Sequence, residues 1–485
     1  MASCLVPSLY PSDTAEILRF GLLGYALSRY SGAWVGIKCV NETVEQTQTV
    51  ALALDSFATV EPEAPSQPPE GVHIRTGAFN PLRDEQILLE HRLPRVHAFV
   101  RANTIDRTEF RAAAPKLGII TAGKSYGDVR QALALLGLDD AGAAALGVSL
   151  YKVGCIWPLE PQGLAEFAAG HAALLVVEEK KSFLEEQAAA ILVNKADRPR
   201  LYGKIDEHGR PLISASCLLE PADIAEAIRG RLHHLGAKGW GVDGLHGLNA
   251  VGGKQGAAAD LAATTERRTP YFCSGCPHNR STRIPQGSLS MTGIGCHTMV
   301  NFTRPEEALP PTQMGGEGAN WAGAAPFTKT PHIFQNMGDG TYYHSGLLAI
   351  RAAVAAKVNI TYKILYNDAV AMTGGQPVDG PISVADIVRQ IRDEGVVSVT
   401  VVSDAPEHHA RSGLPPGVEV LHRDRLDEVQ RRLRETPGVT ALVYEQTCAA
   451  EKRRRRKKGL YPDPPKRMFT VLCSNRHHHN VAVTG

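Results

Sequence analysis

The chain has 485 residues, 43% of them hydrophobic and 21% charged, with 52 Lys and Arg against 50 Asp and Glu for a formal net charge of +2. That length exceeds what one hydrophobic core holds and implies two to four domains. The near-neutral balance argues against nucleic acid or an anionic membrane as a partner, no apolar run is long enough to span a bilayer, and the start lacks the basic-then-apolar pattern of a signal peptide. A cytoplasmic protein is expected, and its nine cysteines are then core thiols or metal ligands rather than a disulfide framework.

In chain order, Thr14 to Tyr30 reads as a helix capped by Ser12 or Asp13. AWVGIKCV (33–40) reads as a buried strand, and the Pro-rich EPEAPSQPPEG (61–71) as a surface loop. From Lys116 onward the apolar runs KLGIITAG, GVSLYKVG and AALLVVEEK alternate with helix-like stretches, one of them from Tyr126 to Leu138. That alternation predicts a parallel sheet covered on both faces. GKSYGDV around Lys124 looks superficially like a phosphate loop but lacks the full spacing. Residues 236–270 are Gly- and Ala-rich and read as a linker. From Tyr271 to about Gln446, HIFQNM, NITYKILYN, VVSVTVVSD and TALVYEQT again alternate with helices, so this unit is α/β as well. The basic run Lys452 to Lys458 follows, read as a solvated helix end. The last residues are irregular, and His477, His478 and His479 read as a disordered tail.

The strongest motif is GDGT, Gly338 to Thr341, followed by Asn367. An apolar strand precedes the glycines, a helix-like stretch follows them, and a second strand delivers Asn367. Gly338 and Gly340 let backbone approach a phosphate closely, and the following helix aims free N–H groups at an anion. Asp339 offers Mg²⁺ a hard oxygen and Asn367 a neutral one, both at carboxyl ends of strands, where open α/β sheets bind ligands. A second constellation is Cys273 and Cys276 in a CxxC, Cys296 and the distant Cys448. Four thiolates suit a [4Fe–4S] cluster or a structural zinc, and spacing alone leaves both open. Cys39, Cys155 and Cys217 lie in apolar runs and read as buried free thiols. Cys4 and Cys473 have no assigned role.

The text from Gln313 to Gly380, with YFCSGCPHN, GIGCHTMVNF and YEQTCAAEKRRRRKKG, closely resembles the indolepyruvate ferredoxin oxidoreductases in their large fused form. The resemblance runs from about Tyr10 to Arg467. It implies an α/β chain of several doubly wound domains: a partial pyrimidine-type thiamine diphosphate domain and linker (1–110), a transketolase C-terminal-like domain (111–235), the linker (236–270), a diphosphate-side thiamine domain with iron–sulfur ligands (271–450) and the tail (451–485). It implies thiamine diphosphate and Mg²⁺, the metal held by Asp339, Asn367 and the Ala369 carbonyl, with Thr373, Gly374, Gly375 and Gln376 beside the cofactor. It implies a [4Fe–4S] cluster on Cys273, Cys276, Cys296 and Cys448. The implied reaction is oxidative decarboxylation of an aryl 2-oxo acid to an acyl-coenzyme A, with coenzyme A as co-substrate, ferredoxin as electron acceptor and a homodimer as the intact enzyme.

Two departures stand against that pattern. The chain starts inside the pyrimidine-side domain, so the glutamate that activates thiamine is not assignable; Glu42 and Glu45 read as solvated or structural. The text after Met468 lacks the repeated CxxC of a ferredoxin-like module. The chain therefore reads as a truncated piece of the full enzyme. The rival readings are a non-oxidative thiamine enzyme with structural zinc and a non-catalytic assembly subunit. His278 and His297 sit beside the cysteines and read equally as packing or as hydrogen-bond donors to a cofactor.

Overall fold

In the computed structural model, residues 1–50, 58–74, 80–237, 270–378, 380 and 382–463 are described. The linker expected over 236–270, Cys473 and the three consecutive histidines fall almost wholly outside them. The chain divides into two units, Met1–Thr265 and Glu266–Gly485.

In the first unit Asp13 caps the helix Thr14–Ser31 by accepting the Glu16 N–H at 2.9 Å, and Gly32 ends it with φ 74°. Residues 33–40 do not form the expected buried strand. Only Gly36–Ile37 (β2) pairs, beside Ser8–Leu9 (β1), in a small sheet completed by Cys155–Trp157 (β6). With so short an edge strand there is little for the run to pack against: Trp34 is 80% exposed and Cys39 is exposed. Cys217 is also exposed, in a bend where its own φ is 58°. Of the three thiols expected in the core, only Cys155 is buried.

The main sheet of this unit has the order β3-β5-β4-β7-β8, built from Arg107–Phe110 (β3), Leu117–Ala122 (β4), Val148–Val153 (β5), Ala173–Val177 (β7) and Arg200–Tyr202 (β8). β3 is antiparallel and the rest are parallel. Alternate side chains serve opposite faces. Ile119, Leu150 and Leu175 meet Val129 and Ile228 from the helices Gly123–Leu135 and Pro221–His234. Ile120, Tyr151 and Val176 meet Leu164, Phe167 and Ala188 on the other side. The expected two-faced parallel sheet is thus present. Lys124 does not stand free to cradle a phosphate: its ammonium is held by Asp128 and Glu179, each at 3.0 Å, and by the Leu219 carbonyl.

The second unit is a six-stranded, wholly parallel sheet of order β13-β12-β14-β11-β10-β9. Its strands are Ser290–Thr292 (β9), Ile333–Gly338 (β10), Ile360–Tyr366 (β11), Ser398–Ser403 (β12), Glu419–His422 (β13) and Val439–Glu445 (β14). β9 and β13 are too short and too polar at their margins to stand out in the sequence. Ile364, Val401 and Val443 bury against Ile350, Ile387 and Ile391 of the flanking helices. Because β10, β11 and β14 are adjacent and in register, with Gly338 opposite Leu365 and Tyr366 opposite Glu445, their carboxyl ends open side by side. No helix of the described residues is long and apolar enough to cross a membrane.

The first unit contains a buried ion pair, Lys152 Nζ to Glu16 Oε1 at 2.7 Å, with both side chains under a tenth exposed. Burial alone would raise the Glu16 carboxyl, but the Lys152 ammonium overcomes it and holds the group below its usual 4.5. Replacing Glu16 by Ala leaves an uncompensated buried ammonium and is expected to destabilise the unit by about 3–5 kcal/mol in urea denaturation. In the unsubstituted protein the pair's contribution is complete above about pH 4.5 and is lost as pH falls through the depressed carboxyl value.

Candidate functional site

The helical run that follows β10 starts at Asp339, which is 3% exposed. Its Oδ1 accepts the Gly340 N–H at 2.9 Å. Its Oδ2 accepts the Asn367 N–H at 2.9 Å and the Asp368 N–H at 3.1 Å. The Asp339 carboxylate therefore contacts the backbone of Asn367, 28 residues away in sequence. Burial pushes the Asp339 carboxyl up to about 6 despite those three N–H bonds, and no cationic side chain is bonded to it among the described residues. A buried carboxylate held only by backbone dipoles fits a cation such as Mg²⁺. Asp339 also lines a cleft of about 580 Å³ together with Tyr366, Asp368, Ile382 and Asp386.

The orientation of the Asn367 amide is set by its neighbours. Its Nδ2 lies 3.1 Å from His278 Nε2, and an amide nitrogen can only donate. The imidazole proton therefore sits on Nδ1, facing the Ser281 hydroxyl at 3.2 Å. This turns Asn367 Oδ1 toward the Ala369 N–H at 3.2 Å and leaves it a free lone pair. Ala369, in the same turn as Asn367, is 2% exposed. The chain then closes on itself: Gly375 N–H bonds Val370 O and Val370 N–H bonds Gln376 O, while Gln376 Nε2 reaches Thr373 Oγ1 at 2.7 Å. Gly374 and Gly375 have φ of 130° and 77°, which explains the glycine pair. Thr341 is buried in the first helical turn after Gly338 and Gly340.

The four cysteine sulfurs lie near enough to influence one another electrostatically. Cys276 is pushed up to about 11, first by burial and then by the neighbouring sulfurs of Cys296, Cys273 and Cys448. Cys296 is raised by burial and by Cys448 and Cys273. Among the described residues, no three His, Cys, Asp or Glu side chains converge as ligands to a single ion. Cys448 caps the helix Ala449–Lys457, and its N–H bonds the Asn367 carbonyl at 3.0 Å. His278 and His297 are both buried and stand edge to face at 6.0 Å. Burial drives them down to about 3 and about 4, so both rings are neutral at ordinary pH. His297 Nε2 has no hydrogen-bond partner, and its ring packs toward Gly338. An orphaned buried nitrogen beside the first glycine of the motif is a further fit to a bound group there.

Three residues in or touching the turn after Asn367 were not singled out from the sequence. Asp368 carries φ 60° beside Asn367. Arg454 and Arg455, expected to be solvated, bond Gly374 O and Asp368 respectively. The only signal for them was a basic run following Cys448, which has the same appearance on a free surface.

Residues 107–250 match the Indolepyruvate oxidoreductase domain family, and residues 293–441 match the family of the C-terminal TPP binding domain of thiamine pyrophosphate enzymes. The second match spans both Asp339 and Asn367. Both matched segments are similar to parts of thiamine-dependent oxidoreductases. The chain is 27% identical over 422 residues to the indolepyruvate oxidoreductase subunit IorA of Methanothermobacter marburgensis, covering 81% of this chain and 62% of that one. It is 26% identical to the IorA subunit of Thermococcus kodakarensis, covering 70% and 50%. The chain thus spans between half and two thirds of the length of these relatives. A solved 2-oxoglutarate:ferredoxin oxidoreductase from Magnetococcus marinus aligns over 38% of this chain and 66% of that one, at 18% identity and a TM-score of 0.30, too loosely to carry an argument. The second unit carries a thiamine diphosphate-binding α/β fold.

His278→Ala removes the acceptor of the buried Asn367 amide. It is expected to destabilise the second unit by about 1–3 kcal/mol, read as a lowered denaturation midpoint; an unchanged midpoint would show that the bond contributes nothing.

Proposed function

We propose that this chain is the diphosphate-holding part of a thiamine diphosphate-dependent oxidoreductase that converts an aryl 2-oxo acid, indolepyruvate by resemblance, and coenzyme A into an acyl-coenzyme A and CO₂, passing two electrons to ferredoxin. The observation that carries the reading is the contact of Asp339 with Asn367 across β10 and β11. In this reading Asp339, Asn367 Oδ1 and the Ala369 carbonyl hold Mg²⁺, with Gly338, Gly340 and Thr341 at the diphosphate and the Thr373–Gln376 turn beside it. Thiamine diphosphate, when bound, supplies the electron sink for loss of CO₂. The chain's own contribution is to hold the metal-binding oxygens in place and to orient the Asn367 amide through His278. Cys273, Cys276, Cys296 and Cys448 would hold a [4Fe–4S] cluster that accepts the electrons.

The thiamine motif beside the cysteines and the family resemblance favour the cluster over zinc. Four zinc ligands converge on one ion at about 2.3 Å, whereas cluster thiolates bind four separate irons and stand farther apart. The first unit, by the same family resemblance, supplies the transketolase C-terminal-like domain over 111–235 and part of a pyrimidine-type domain over 1–110. The intact enzyme would be a homodimer in the cytoplasm.

Anaerobic reconstitution with iron and sulfide tests the cluster. About four irons and four sulfides per chain with broad visible absorbance are expected, with loss of the absorbance in Cys276→Ser; a colourless protein that takes up zinc instead would favour the non-oxidative rival. Calorimetry with thiamine diphosphate and Mg²⁺ tests the metal site: Asp339→Ala is expected to abolish Mg²⁺-dependent binding, and retained binding would refute the assignment.

A further inference from the structure

The basic run forms an exposed helix end, as expected, but three of its side chains are tied to neighbouring segments. The helix Ala449–Lys457 starts at Cys448 and lies along the carboxyl ends of the sheet, tied down at successive turns. Lys452 pairs with Asp404, the residue after β12, at 3.0 Å. Arg455 Nη1 reaches Asp368 Oδ2 at 2.6 Å, and its Nη2 reaches the Asp368 carbonyl at 3.3 Å. Arg454 Nη1 donates to the Gly374 carbonyl, and its guanidinium lies where a Cβ on Gly375 would sit. Glu451, one turn earlier, accepts from Arg454 at 3.0 Å and from Arg455 at 3.1 Å, aiming both. The two arginines therefore grip both ends of the turn that runs from Asn367 to Gln376.

The chemistry of that turn explains the need for a grip. Asp368 is left-handed and Gly374 and Gly375 have positive φ, so its shape draws little on local preference. The Arg455–Asp368 pair is 30% and 44% exposed, and such a pair contributes little by charge alone. The effect of the two arginines comes from joining two backbone carbonyls and one carboxylate to a single helix. That helix also carries Cys448, whose N–H is bonded to Asn367.

We infer that Arg454 and Arg455 are positioning residues that hold the Asn367–Gln376 turn in its metal-gripping shape, and that their helix makes this turn and the Cys448 thiolate one mechanical unit. The role toward Mg²⁺ rests on the thiamine diphosphate reading; the grip on the turn does not.

The test is amide hydrogen exchange on the full chain, with the Val370 and Gly375 amides, both bonded within the turn, as reporters. The variants are Arg454→Gln, Arg455→Gln and Asp368→Asn, the last chosen because Asn tolerates the left-handed backbone. Without any ligand, exchange at the two reporters is expected to accelerate by about fivefold or more while amides inside β11 keep their rates, and Arg455→Lys is expected to fall between wild type and Arg455→Gln. Rates within about twofold of wild type in all three variants would overturn the grip. Uniform acceleration that includes β11 would overturn it too, as mere loss of folding. With thiamine diphosphate present, the Mg²⁺ concentration giving half-maximal reporter protection is expected to rise about tenfold in Arg455→Gln. An unchanged Mg²⁺ requirement would overturn the positioning role toward the metal. Wild-type protein that gains no protection while the ligand-free rates still respond would refute the thiamine reading and leave the grip standing.

Discussion

Asp339 takes three backbone N–H groups on one buried carboxylate, two of them from residues that have just left β11. That interaction closes the space between two strand ends and fixes where Asn367 begins. His278 sets the orientation of the Asn367 amide, and the Asn367 carbonyl receives the N–H of Cys448. The GDG segment, the CxxC segment and the helix after β14 therefore meet at one residue. The parallel register makes this possible: a slip of β11 by one residue would turn its apolar set to the opposite face and carry Asn367 away from the carboxylate.

The cost of the arrangement is a concentration of buried polar groups. Asp339 is raised by burial, and His278 and His297 are kept neutral by it. Glu317, fully buried, has one carboxylate oxygen on the Gly315 N–H and the other unpartnered. The surrounding sheet tolerates this because Ile360, Tyr362, Ile364 and Val443 are themselves fully or almost fully enclosed, giving a rigid apolar base beneath the polar edge. Buried polar groups without mutual partners are characteristic of sites organised for something else to bind.

Much of this was legible in the order of residues. The strands β10, β11, β12 and β14 were readable because each is a long apolar run in which both faces are covered. Asp339 and Asn367 were readable because the strand–glycine–helix–strand order has few other physical uses. The short edge elements were not. Gly36–Ile37 has β-branched and aromatic neighbours that look buried, yet its sheet offers only a two-residue partner. Cys39 and Cys217 failed for the same reason: an apolar neighbourhood in sequence does not provide a covering layer in space. The arginines of the basic helix failed differently, since nothing local distinguishes a guanidinium in water from one lying on a glycine pair.

The most direct test of the account is a structure of the full chain with Mg²⁺ and thiamine diphosphate bound. One ion at about 2.1 Å from both an Asp339 carboxylate oxygen and Asn367 Oδ1 is the expected result, with the Asn367 nitrogen still on His278. An ion bound elsewhere, or an Asn367 amide turned with its nitrogen toward the ion, would contradict it.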